Sequence, residues 1–480
     1  MKKNRLYLSI IMSFILILTS CTTTFNQNKN NDNNPKADIS ISDDDLDEPV
    51  KNSKDSSNET SNKDKDQAEG SSAGLINEAI DKPIGEPYEV GVTPDDYNMD
   101  YDTSRLLSLD EKKSDMYPKD GVKGLYFNSY SINNEAIYNN IMDLIENSNL
   151  NTVVVDIKDD WGNVTMNFDT DDEDIVYSKI DILDPEALIE DFHSRGIYVI
   201  GRITTFKDSI ITEKHPDWGF TLSDGTLWKN GHGEAFMNPF LKEVQDYDLK
   251  IARLAAEAGF DEIQFDYIRF AEGFETFGDT LEYSRGDYED IEDLDEGEKR
   301  VAAITDFVKR AREDLQVYNV PISIDVFGYA LQVRRAEGIG QDFDEMANET
   351  DAISSMIYPS HWGNWSFDIE KPDLEPYNLV TRYLEEEQEV LKALEHPPVS
   401  RPWIQDFTAT WIGEGNWMEY DADAVQAQID AIYDSGQNEY LIWNASSEYT
   451  PGVEYWYITV VLLMFYYSFL FSNKCYCLQF

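Results

Sequence analysis

Four aspartates, Asp156, Asp266, Asp325 and Asp406, stand at the C-terminal ends of short apolar, β-branched runs. Carboxyl groups gathered on one rim can divide the labour of glycosidic bond hydrolysis, one held protonated as acid and one ionised as nucleophile or base. Alternation along a strand decides which side chains enter a barrel. In Ile322–Gly328 the aliphatic Ile322, Ile324 and Val326 face outward, which turns Asp325 inward. In Glu262–Phe270 the same alternation sends Ile263 and Phe265 outward and Gln264 and Asp266 inward. In Thr152–Lys158, Val153, Val155 and Ile157 go outward and leave Asp156 and Lys158 inside. Inward carboxylates near one rim are costly unless paired, and Lys158, Arg202 and Arg269 are the natural partners. In the run ending at Asp406, Gln405 is the better inward candidate unless the strand has turned by Asp406. A lone Asp of this kind reads as a salt-bridged cap at a strand–helix junction; a set at matching ends reads as chemistry.

Aromatic and amide side chains sit beside these acids. Trp161 follows the second run, Trp362 and Trp365 the sixth and Trp411 the seventh, and Trp443 lies in the eighth. Indole faces stack on sugar C–H surfaces, while Asn128, Gln264, Gln405, Asn444 and His361 are placed to grip hydroxyls. Arg202, Arg269, Tyr358 and His361 would orient the sugar. Any one Trp is more often core packing than a sugar platform; several on one rim favour carbohydrate.

The elements that must position these residues form one unit repeated eight times between Gly124 and Ala445, an apolar run followed by a helical stretch. The runs are Gly124–Asn128, Thr152–Lys158, Tyr198–Ile203, Glu262–Phe270, Ile322–Gly328, Ala352–Pro359, Ser400–Phe407 and Glu439–Ala445. Eight such units close an α/β (β/α)8 TIM barrel, whose chemistry sits at the C-terminal strand ends. The longest insertion is expected after the fourth run, roughly Ala271–Glu298, and is strongly acidic; it either shapes the cleft or is a solvated loop.

The 480 residues carry a formal net charge of -54, which disfavours nucleic acid and anionic polymers as partners. The three cysteines, Cys21, Cys475 and Cys477, all lie outside the repeats, and no two of the five histidines have zinc-helix spacing. A mechanism with no metal and no cofactor is therefore expected. Lys2, Lys3 and Arg5 precede an apolar stretch, Leu6–Leu18, in the layout of a signal peptide spanning 1–20. Leu18-Thr19-Ser20-Cys21 resembles the lipobox of bacterial lipoproteins, which implies lipidation of Cys21 and an extracytoplasmic protein anchored to the cell membrane. The alternative is an ordinary signal peptide with an incidental Cys. Residues 21–73, rich in Asn, Asp, Ser and Lys, are expected to be a disordered tether and 74–120 a lead-in to the domain at 121–455. The apolar 456–480 stretch reads as a short anchor, a closing helix or a translated frameshift.

The runs Val153–Val164, Gly259–Phe270, Ile322–Tyr329, Met356–Gly363 and Arg401–Phe407 resemble a bacterial family of glycoside hydrolase domains similar to the catalytic barrels of the α-amylase superfamily. The likeness covers about Gly121 to Pro451. It implies a nucleophile after the fourth strand, an acid after the fifth and a stabilising acid after the seventh, carried over as Asp266, Asp325 and Asp406, with Asp156 or Asp406 tuning the pair. The fifth-strand acid of that layout is usually Glu, and Asp325 is one methylene shorter, so retention and inversion both stay open. The expectation is a hydrolase acting on a poly- or oligosaccharide. Its alternatives are a glycan-binding surface lipoprotein without turnover and a polysaccharide deacetylase, which would need a metal.

Overall fold

In the computed structural model, residues 108–455 are described. The signal segment, Cys21, the tether, most of the lead-in and the 456–480 stretch lie outside them. Eight parallel strands run as β1 (Lys123–Tyr126), β2 (Thr152–Lys158), β3 (Tyr198–Thr204), β4 (Glu262–Asp266), β5 (Ile322–Phe327), β6 (Ala352–Met356), β7 (Trp403–Gln405) and β8 (Tyr440–Trp443). Each pairs with its sequence neighbour, and β8 pairs with β1, so the sheet closes into a barrel. The seventh run enters as two pieces, because Pro402 has no N–H to give the ladder and splits Val399–Ser400 from β7.

Seven helices follow the first seven strands: α1 (Glu135–Glu146), α2 (Pro185–Ser194), α3 (Lys242–Ala258), α4 (Glu296–Leu315), α5 (Phe343–Asn348), α6 (Pro376–Leu391) and α7 (Ala422–Asp434). Their starts are written in the sequence. The Asn134 side chain accepts from two amides of α1, Asp184 precedes a proline that opens α2, and Asp295 and Glu298 form a reciprocal box at α4. At the far end of α3, Gly259 takes φ +102°, which a side chain would resist. Among the described residues no helix is long and apolar enough to cross a membrane.

The alternation inferred from sequence organises the core. Val153, Val155, Ile157, Ile263, Phe265, Ile322, Ile324 and Val326 pack into the layer between strands and helices. A separate cluster holding Val154, Tyr198, Ile200, Tyr358, Trp403, Leu441 and Trp443 fills the barrel. Its N-terminal end is polar inside and tightly paired: Arg401 donates to Glu262 at 2.6 Å and to Glu439 at 2.9 Å, and Tyr117 covers them through Glu439. Lys112, on the short helix Leu109–Lys112, meets Asp351 at 2.7 Å beside it.

The insertion after β4 corrects an expectation in one respect: the segment between β3 and α3, residues 205–241, is longer. The two segments form one body. Thr221 bridges Glu282, and Phe220, Phe240, Phe270, Phe274 and Tyr283 pack ring on ring between them. That aromatic packing gives the acidic insertion a fixed underside.

Candidate active site

Strand register sets the site. Asp156 on β2 lies level with Arg202 on β3, and Thr204 on β3 level with Asp266 on β4, at the C-terminal end of the barrel. The Arg202 guanidinium is buried and donates in three directions. Nη1 reaches Asp156 Oδ1 at 2.7 Å, Nη2 reaches Asp160 Oδ1 at 2.7 Å, and Nε and Nη2 reach Asp266 Oδ2 at 2.9 and 2.6 Å. The Asp266 Oδ1 atom accepts the Tyr267 amide at 2.6 Å. Tyr267 holds a left-handed backbone, φ +51°, an uncommon state for a bulky residue. Asp325 stands apart from the fork, and its Oδ1 accepts from Trp403 Nε1 at 2.9 Å. Tyr126 donates its hydroxyl to Asp156 and stacks on Trp443, ring centroids 4.3 Å apart.

Burial pushes the Asp325 carboxyl well above its ordinary range, the Asp266 charge pushes it further, and Arg202 and Trp403 pull against both. Asp156 is raised as well, by burial against the pull of Arg202. Asp325 is thereby suited to hold a proton, and beside it Arg202 binds Asp266 through Nε and Nη2. Asp160, Arg202, Asp266, Tyr267, Met356, Tyr358, Trp403 and Trp443 line a recess of about 10 Å³ at this point, the room one water molecule needs. Among the described residues no group of three or more His, Cys, Asp or Glu side chains is placed to hold a metal ion.

The family described as "Putative glycosyl hydrolase domain" matches residues 124–449, the whole barrel with its mouth. The chain belongs to this family. Among solved structures, a hypothetical protein from Ruminiclostridium thermocellum ATCC 27405 is 29% identical over 42% of this chain and 97% of its own, with a TM-score of 0.35. The PgaB (BpsB) glycoside hydrolase domain from Bordetella bronchiseptica is 14% identical over 69% of this chain and 95% of its own, TM-score 0.49. The α-galactosidase TtGalA from Thermus thermophilus is 13% identical over 69% and 60%, TM-score 0.41. No curated protein matches the chain.

Within this glycosyl hydrolase domain, Arg202, Asp266, Tyr358 and Trp443 line the recess, while Asp156 and Asp325 are buried, bonded to the lining residues Arg202 and Trp403. Gln264 lies deeper, fully buried, with Nε2 3.4 Å from Ser354 Oγ. Lys158 is a correction. The β2–β3 register slips between Asp156 and Lys158, so the inward alternation breaks there. Lys158 instead lies buried between Asp208 at 2.9 Å and Asp248 at 2.7 Å, in the strand–helix layer. Asp406 also stays out of the Arg202 cluster: β7 ends at Gln405, and the Asp406 carboxyl accepts the Thr450 hydroxyl at 2.5 Å and its amide at 3.1 Å.

Other candidates hold loops in shape. Gln405 accepts from Ser360 and donates to Asp373 and Phe407; Asn444 donates to the Asp406 carbonyl. Asn128 caps a short helix through the Tyr130 amide. Trp362 packs against Phe367 and Tyr383, which makes it core, and Arg269 lies over the Tyr267 and Phe327 rings. His361 contacts Ser360 and the Tyr358 and Phe407 rings, while Trp161 is exposed on the rim. Sequence reasoning missed Asp160, Tyr126, Tyr267 and Trp403. Asp160 had a usable signal: it follows the β2 run by two residues, within reach of an arginine on β3.

Proposed function

We propose that the domain is a glycosidase in which Asp325 gives a proton to the departing glycosidic oxygen and Asp266 serves as nucleophile or stabiliser of the developing positive charge. Arg202 fixes Asp266, while Asp156 and Asp160 hold Arg202. The observation that carries this reading is the single guanidinium clasping three carboxylates beside a fourth, raised carboxyl at the C-terminal mouth. The substrate is a poly- or oligosaccharide, and the protein works outside the cytoplasm, tethered by lipid at Cys21; the lipobox-like Leu18–Cys21 supports that placement.

The test is oligosaccharide release from α-glucans and cell-wall glycans, followed by mass spectrometry, for the wild type, Asp266→Asn and Asp325→Asn. Each variant should keep the fold by circular dichroism and lose at least about a thousandfold in turnover, a typical weight for a group acting in the transition state. Full activity in Asp266→Asn would sink the assignment. One second reading is a glycan-binding protein without turnover, which the burial of Asp325, 1% exposed, favours. Glycan retention unchanged by Asp266→Asn, with no product from any glycan, would select it.

A further inference from the structure

Three tryptophans are exposed among the described residues, Trp161, Trp365 and Trp411, at 43%, 51% and 40%. All three lie in loops that follow C-terminal strand ends: Trp161 after β2, Trp365 after β6 and Trp411 after β7. In a closed eight-stranded barrel β2 and β6 are opposite one another, so the exposed indoles stand on two sides of the mouth. Scattered surface aromatics need no explanation, but Trp161 and Trp411 are held in place and connect to the recess.

On the β2 side the Trp161 amide donates to Asp159 Oδ1 at 3.0 Å and its carbonyl accepts from Ser209 at 2.9 Å. The exposed Tyr130 ring joins it, its hydroxyl fixed on Asp159 Oδ2 at 2.6 Å. The next residue back from Trp161 is Asp160, which lines the recess. On the other side Trp411 stacks on Phe407 at 5.9 Å with planes 15° apart, and Phe407 meets Tyr358 at 5.7 Å. Tyr358 also lines the recess, so rings run unbroken from rim to floor. Trp365 stands in the neighbouring loop with φ +74°, its amide bonded to Ile369.

We propose that a polymeric glycan lies across this mouth and is cut internally, with sugars stacked on Trp161 and Tyr130 on one side of the scissile bond and on Trp411 and Trp365 on the other. This rests on the glycosidase reading above and adds the form of the substrate and the place of the cut. The reaction is hydrolysis. The glycosidic C–O bond breaks, the leaving oxygen takes the Asp325 proton, and water supplies the hydroxyl to the anomeric carbon and restores that proton.

The experiment uses the whole protein, Trp161→Ala, Trp411→Ala and Trp411→Phe, with soluble starch, chitosan and peptidoglycan strands as probes. Gel retardation by each polymer is measured in the Asp266→Asn background, and product length is followed over time in the active background. Loss of one stacked ring weakens polymer binding by about tenfold, equivalent to about 1.4 kcal/mol, and Trp411→Phe restores most of it. Early products are a spread of lengths, and the alanine variants shift that spread. Release of single sugars from chain ends, or polymer binding indifferent to both alanine variants, would overturn the two-sided track while leaving the glycosidase reading standing. Binding that depends on both tryptophans without any turnover would keep the track and remove the chemistry. Neither binding nor turnover with any of the three polymers would overturn both.

Discussion

At the scale of single residues the site turns on Arg202, whose buried fork serves Asp156, Asp160 and Asp266 together. Replacing it with Met leaves buried carboxylates without a cation, and breaking such a pair costs about 3–5 kcal/mol. Arg202→Met should therefore unfold at lower denaturant as well as lose turnover, whereas Asp266→Asn should lose turnover alone. Urea midpoints of the two variants separate these effects, and equal midpoints would show that Arg202 is not needed to compensate the acids. Asp406 behaves differently. Burial lifts its carboxyl to about 6 against the pull of its Thr450 bonds. An unfolded Asp releases its proton near about 3.9, so the folded chain holds the proton more tightly. That contribution to stability is full below about pH 4 and is lost as pH rises through about 6. Asp406→Asn lacks this term, so its stability relative to wild type should improve between pH 4 and 6 by on the order of 3 kcal/mol, with turnover retained. A pH-independent difference in melting would remove the raised carboxyl, and loss of turnover would return Asp406 to the chemistry.

At the scale of elements, alternation made Asp156, Asp266 and Asp325 legible in the sequence, because one strand's apolar face fixes where its polar face points. It failed at Lys158, where a bulge depends on a neighbour. The Gly201 backbone on β3 leaves space for Ile157, whose Cδ1 lies 2.2 Å from where a Gly201 Cβ would be. No pattern within β2 announces that vacancy. Asp160 and Trp403 were missed for a related reason: their contacts cross between strands and depend on side-chain length. The turn after β2 offers a test at this scale. Gly162 has φ +103°, and a Cβ there would sit 2.1 Å from Asp208 Oδ1, within the buried group that also holds Lys158. Gly162→Ala should lower stability by about 1–3 kcal/mol and displace Trp161 next to it. Thermal melting together with polymer retardation measures both effects. An unchanged melting temperature would mean that the turn relaxes freely around Asp208.

At the scale of the whole molecule, buried arginines mark both ends of the barrel. Arg202 holds acids where loops open to solvent, while Arg401 holds Glu262 and Glu439 under Tyr117 at the closed end. The eight-unit repeat made the barrel readable in advance, and the C-terminal strand ends, where barrels of this kind keep their chemistry, are the end that holds the Arg202 acid cluster. The closed-end network was not readable, since Arg401, Glu262 and Glu439 are far apart in sequence and meet only once the sheet closes. A distinct outcome follows for each arginine. Arg401→Leu leaves two buried glutamates without their cation, which should cost about 3–5 kcal/mol and lower the urea midpoint. The mouth's hydrogen bonds do not pass through Arg401, so turnover per folded molecule should be preserved well below the new midpoint. Activity at low urea and fluorescence-detected unfolding, recorded on the same samples, give both quantities. If Arg401→Leu loses turnover while still folded, the ends are coupled through the barrel's interior layer, and the separation of stabilising and chemical ends does not hold for this chain.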